Sequence, residues 1–121
     1  MKLFTVLTVL GALSLVGCAG SPMANMKIAD VNRDNLLELN VGQSKSQVLS
    51  IMGKPHKTEA YSMHGDNLEF WLYITQGGDS MYLQDHNFTP LAFRDGKLQG
   101  WGRNYYDRAI KVKAEIDVEK K

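Results

Sequence analysis

The groups in this chain that could do chemistry are few and far apart. One thiol, Cys18, and three imidazoles, His56, His64 and His86, are the only side chains of their kinds in 121 residues. None of the histidines has another metal-type ligand at close, regular spacing, which a site built on one helix or hairpin requires. They read as turn and surface residues, so neither a metal nor a cofactor is expected. Asp66, Asp79, Asp85 and Asp95 fall in turn-type sequence, where Asp is favoured for its side-chain-to-backbone hydrogen bonds. Gly77-Gly78 lacks the lysine and following helix of a phosphate loop. No Ser, Lys or later Cys sits in a pattern that would activate it as a nucleophile. The expectation is a protein that is not an enzyme.

The one thiol has a context. Met1-Lys2 gives a basic start, Leu3 to Leu13 is an apolar run too short to span a bilayer comfortably, and Leu15-Val16-Gly17-Cys18 follows directly. This resembles the bacterial lipobox, whose cysteine receives a diacylglycerol before the leader is cut away ahead of it. By that resemblance residues 1–17 are a signal peptide and Cys18 is the lipidated N-terminus. Several acyl chains would hold the mature chain firmly, because each buried methylene contributes about 0.8 kcal/mol. Ala19 stands where Asp typically marks retention in the inner membrane. The resemblance therefore favours the periplasmic face of the outer membrane over the inner membrane.

Charge and cysteine usage narrow the class further. Removing Lys2 with the leader leaves 13 basic against 13 acidic residues in a formally neutral chain. No basic face argues for nucleic acid. With a single cysteine no internal disulfide is available, and the fold must rest on packing. The mature length fits one domain with one modest core.

The elements follow from local pattern. Residues 18–30 are read as a tether, since Ala19 to Lys27 is small and polar without apolar period. Asn32 or Asp34 can cap a helical turn or two ending near Leu39. Ser44-Lys45-Ser46-Gln47 has capping-box spacing, Val48, Leu49, Ile51 and Met52 share one side of the following helix, and Gly53 and Pro55 end it. Gly53 is expected in the left-handed conformation. Lys57 to Met63 has weak strand character and reads as an edge strand or an irregular arm, and His64-Gly65-Asp66-Asn67 is a turn cluster. Leu68 to Thr75 alternates as a strand, with Leu68, Phe70, Leu72 and Ile74 on one face and Glu69, Trp71, Tyr73 and Thr75 on the other. Asp95-Gly96 joins Thr89–Arg94 to Lys97–Trp101 in a hairpin that sets Phe93 opposite Leu98. Arg103 to Lys121 fits strand alternation (Ile110, Val112, Ala114, Ile116, Val118) and helical spacing (Tyr106, Ile110, Ala114). Its Lys and Glu content favours a charged helical tail over residues 104–121.

Val41-Gly42, the capped helix, Gly53-x-Pro55, the aromatic strand Phe70-Trp71-Leu72-Tyr73 and the late hairpin together resemble the BamE-like (SmpA/OmlA) family of small bacterial lipoproteins. The resemblance runs from Asp34 to Gly102. It implies an α+β domain over residues 31–103, with two short N-terminal helices packed on one face of an about three-stranded antiparallel sheet. It also implies protein–protein contacts in the cell envelope, as an accessory of outer-membrane protein assembly or of envelope integrity. Because related helix-on-sheet domains include protein inhibitors, the alternative is a periplasmic inhibitor or ligand-binding lipoprotein with a soluble target. The Gln76–Phe88 connection and the charged tail have no counterpart in the family pattern, so none of the family's binding residues is carried over.

If Leu68, Phe70, Leu72, Ile74, Leu91, Phe93 and Leu98 pack beneath the helices, the other face carries Trp71, Tyr73, Arg94, Gln99 and Trp101. Trp71, Tyr73, Arg94 and Trp101 are then the candidate partner surface, since Trp, Tyr and Arg are enriched in binding hot spots. The competing expectation is that Tyr105, Tyr106 and Ile110 of the tail cover this face as a second small core. A bulge at Gly100 would redirect Trp101.

Overall fold

A computed structural model of the chain describes residues 22–119, apart from residues 64 and 79–81. Cys18 and the leader lie outside the described residues. The order is α1 (Pro22–Leu36), α2 (Lys45–Met52), β1 (Lys57–Met63), β2 (Asp66–Ile74), a short 3-10 turn (Asp85–Asn87), β3 (Phe88–Arg94), β4 (Lys97–Trp101) and α3 (Arg103–Glu119). The four strands form one antiparallel sheet in the order β1-β2-β3-β4. The architecture is α+β, with one more strand than expected because Lys57–Met63 pairs fully with β2.

The capped helix forms as its sequence requires. Ser44 Oγ accepts from the Gln47 N–H at 3.2 Å, and Gln47 Oε1 accepts from the Ser44 N–H at 2.9 Å. Both orphan donors of the first turn are thereby satisfied. Gly53 closes the helix with its N–H on the Leu49 carbonyl at 2.9 Å. Its φ of 72° is positive as expected, but its ψ of −167° lies outside the left-handed helical region. Val48 and Met52 are buried; Leu49, expected in the same stripe, faces solvent.

Two expectations about the helices fail. Residues 22–30 are not a tether: they are the first two turns of α1, which ends at Leu36, where the first helix was expected to be only beginning. The helices also do not share a face, although Leu36 at the end of α1 reaches the α2 side. Leu39 and α2 cover one face of the sheet, over Trp71, Tyr73, Leu91, Phe93 and Leu98. Ala29 of α1 and Tyr105, Tyr106, Ala109 and Ile110 of α3 cover the other, over Leu68, Phe70, Leu72, Ile74, Phe88 and Ala92.

The register explains the sorting. β2 and β3 pair Trp71 with Leu91 and Phe70 with Ala92. This puts Leu91 and Phe93 on the Trp71 face rather than with Phe70, because directly opposed residues share a face. In β4 a bulge opposite Ala92/Phe93 sets Leu98 against Phe93 and Trp101 against Leu91. Gln99 is the extra residue. Without it Trp101 would fall on the opposite face from Leu98; with it both join the α2 side. The Asp95-Gly96 turn has φ of 49° and 78°, the pair of positive values that a two-residue hairpin of type I′ needs.

Candidate functional site

The four residues nominated as a partner surface are not one surface. Trp71 and Tyr73 are 8% and 1% exposed beneath α2, and Trp101 is half-buried at the margin of the same core. Arg94 pairs with Leu68 across the strands, on the face that α1 and α3 cover, and its guanidinium is 3.8 Å from Asp66. The tail covers a face as a second small core, but it is the Phe70 face. The cover over Trp71 is α2. The indole ring packs against Phe93 with centroids 4.7 Å apart, so Trp71 is a core aromatic.

Burial leaves one polar atom of that indole to satisfy. Trp71 Nε1 donates to Glu69 Oε1 at 2.7 Å, and Lys45 Nζ from the first turn of α2 donates to Glu69 Oε2. Burial pushes the Glu69 carboxyl up, but the hydrogen bonds from Lys45 and Trp71 and the charge of Lys45 outweigh it, leaving its pKa below the usual 4.5. Glu69 is thus a fixed carboxylate at the rim of a groove of about 450 Å³, lined by Lys45, Ala60, Ser62, Asn67, Glu69 and Gly96 among others. The groove exists because α2 reaches across β4, β3 and β2 but not β1. Thr58, Ala60 and Ser62 are consequently exposed on this side.

The two edges of the sheet are treated differently. On β4 the outer edge is closed by the segment before α2: the Gly42 N–H donates to the Leu98 carbonyl and the Leu98 N–H to the Gln43 carbonyl, each at 2.8 Å. On β1 the outer edge meets no strand among the described residues. It runs seven residues without a proline or a bulge, features that natural proteins use to blunt such edges. An edge of this kind offers main-chain donors and acceptors to an extended segment of another chain.

On the reverse side a second polar cluster pins β1 to α3. Tyr106 Oη donates to Glu59 Oε2 at 2.7 Å, Tyr61 Oη donates to the same oxygen at 3.1 Å, and Lys113 Nζ sits 5.5 Å above the Tyr61 ring. Burial, then the hydrogen bond to Glu59, raises the Tyr106 phenol well above its usual 10. These groups hold one another. His56 packs its ring on Phe88 at 5.3 Å. Among the described residues no three His, Cys, Asp or Glu side chains converge to hold a metal, and no helix is long and apolar enough to cross a membrane.

Residues 19–108 match the family model DUF3192, described as a protein of unknown function. The chain belongs to this family. No curated protein and no solved structure matches the chain. The matched region takes in α1, α2, the whole sheet and the first turns of α3, so both the groove and the β1 edge lie inside it.

Sequence reasoning leaves Lys57–Met63 between an edge strand and an irregular arm, and the structure makes it the edge strand. Thr58, Ala60 and Ser62 alternate with Lys57, Glu59 and Tyr61, a pattern too polar on one side and too mixed on the other to mark a strand by hydrophobicity. The signal that favours the strand is the turn cluster after Met63, which implies a strand folding back along β2.

Proposed function

We propose that this chain is a lipid-anchored envelope protein that acts by contact with another protein at the periplasmic face of the outer membrane, and not by catalysis. The observation that carries the contact reading is the β1 edge, which pairs with no further strand among the described residues, beside the Lys45–Glu69 groove. An extended partner segment laid along β1 would gain main-chain hydrogen bonds, and alternate side chains would enter the groove. The anchor reading rests on Leu15-Val16-Gly17-Cys18. On the BamE-like resemblance over Asp34–Gly102, the partner class is a component of outer-membrane protein assembly.

The test uses the full chain in cells, with a photo-crosslinking residue at Thr58, at Ser62 or, as a control, at the exposed Lys111 of α3. Expected are adducts with an integral envelope protein from positions 58 and 62 and none from 111. Adducts with only a soluble periplasmic protein would replace this reading with the inhibitor one, and no adduct from either β1 position would end it. Mass spectrometry of the membrane-extracted protein should show acyl mass on the Cys18 peptide. Recovery of an unmodified mature chain from the soluble periplasm would sink the anchor.

A further inference from the structure

α1 is built inside out. Its buried side presents Asn25, Ala29 and Asn32, while Met23, Met26, Ile28 and Val31 are exposed, Met23 at 71% and Met26 at 57%. Apart from Ala29 and Leu36, the helix docks by polar contacts. Asn32 Nδ2 donates to the Ile74 carbonyl at 2.7 Å and Arg33 Nη1 to the Thr75 carbonyl at 2.5 Å, both at the end of β2. Single exposed apolar residues are ordinary on protein surfaces. Here, however, four of them leave the core side of one helix while asparagines occupy it, so the core does not account for them.

Charge is also unevenly placed along α1. The first two turns contain no acidic residue and one lysine, Lys27; acids begin at Asp30. Met26 lies directly on Gly77, where a Cβ would come within 2.5 Å of Met26 Cγ. The start of α1 and the chain leaving β2 thus lie together at one end of the molecule, where Lys27 is the one charge of the first two turns and the Asp30–Arg33 pair follows in the third.

That end is also the one nearest Cys18. Only three residues separate Cys18 from Pro22, and four Cα steps reach no further than about 14 Å. A lipid anchor at Cys18 would hold the start of α1 within the headgroup layer or against it. From these observations we propose that the first two turns of α1 are a membrane-seating surface, with Met23 and Met26 in the interface and the Lys27 stem lying beside them with its ammonium among the headgroups. The proposal rests on the anchor reading above. It adds that the domain does not swing on a tether but is seated, which presents the sheet edges to neighbours in the membrane plane in a restricted orientation.

The test exploits the single native cysteine, which acylation consumes. The full-length lipidated protein carrying Met23→Cys, Met26→Cys or Lys111→Cys is labelled with an environment-sensitive fluorophore and reconstituted in phosphatidylcholine vesicles, with or without brominated acyl chains. Expected is quenching by brominated lipid several-fold stronger at positions 23 and 26 than at 111, with the reverse order for aqueous iodide. All three side chains are exposed, so the substitutions leave the fold intact, and circular dichroism checks this. If acylated protein shows equal iodide access at 23, 26 and 111, the seating is overturned and the anchor stands. Shielding of 23 and 26 from both quenchers, with the protein running as a dimer, also overturns it, in favour of a second copy. A free thiol at position 18 in the parent protein overturns the anchor and the seating with it.

Discussion

Gly53 carries more of the fold than its size suggests. Its φ of 72° with ψ of −167° falls in a region occupied essentially by glycine alone, more demanding than the left-handed helical conformation that the Gly-x-Pro sequence led one to expect. Nothing lies within 4 Å of where its Cβ would be, so any penalty for a side chain is backbone strain and not a clash. Its carbonyl accepts from the Tyr73 phenol at 2.8 Å, tying the helix end to the sheet, and burial pushes that phenol up to about 12. Gly53→Val should therefore cost about 1–3 kcal/mol, read by chemical denaturation; an unchanged midpoint would show that the cap relaxes. Glu69 makes a pH-dependent prediction. Its folded pKa lies below 4.5, so its contribution is complete above that value and disappears as pH falls through the lower folded one. With Lys45 partly exposed, the charged pair is worth about 0.2–1 kcal/mol. Glu69→Gln keeps an acceptor for the Trp71 indole and removes the charge. The stability difference between parent and variant should be of that size at pH 7 and shrink as pH falls below 4.5. A difference independent of pH would mean that the ion pair does not form in solution.

Among the elements, those whose ends or turns are written in local chemistry were readable from sequence. α2 has its capping box, β2 its alternation and the β3–β4 hairpin its Asp-Gly turn; all three appear as expected. α1 was not readable, because Asn25 and Asn32 on its buried side erase the apolar period that marks a helix. α3 was ambiguous because Ile110 and Ala114 fit either period. It is settled as a helix by Tyr105, Tyr106, Ala109 and Ile110 packing together, while Val112 and Val118 stay exposed. The candidate partner surface failed for a reason of phase. Alternation fixes faces within a strand, but the offset between β2 and β3 is set by a long connection and not by a tight turn. Docking of α2 gives a contrast between neighbours on one helix. Met52→Ala removes a buried side chain from the Trp71 core and should cost about 2–5 kcal/mol. Leu49→Ala, exposed one position from the buried Val48, should stay within about 0.5 kcal/mol. Comparable losses at both positions would mean that α2 rotates to bury Leu49.

At the scale of the whole molecule the central strands serve two cores at once. Trp71 and Tyr73 of β2 with Leu91 and Phe93 of β3 build the α2 side, while Phe70, Leu72 and Ile74 with Phe88 and Ala92 build the other. Neither half-core can be lost without exposing the reverse side of the same two strands. A sheet whose two central strands are buried on both faces should then unfold as a unit, as small domains usually do. The chain carries its own probes for this. Both tryptophans report the α2 side, whereas α1 and α3, with 15 and 17 residues against eight in α2, supply most of the helical signal from the other side. Denaturation followed by tryptophan fluorescence and by far-ultraviolet circular dichroism should give coincident midpoints. Loss of the helical signal at lower denaturant, ahead of the fluorescence change, would mean that α1 and α3 peel from the sheet while α2 holds. The shared strands would then couple the two cores only weakly.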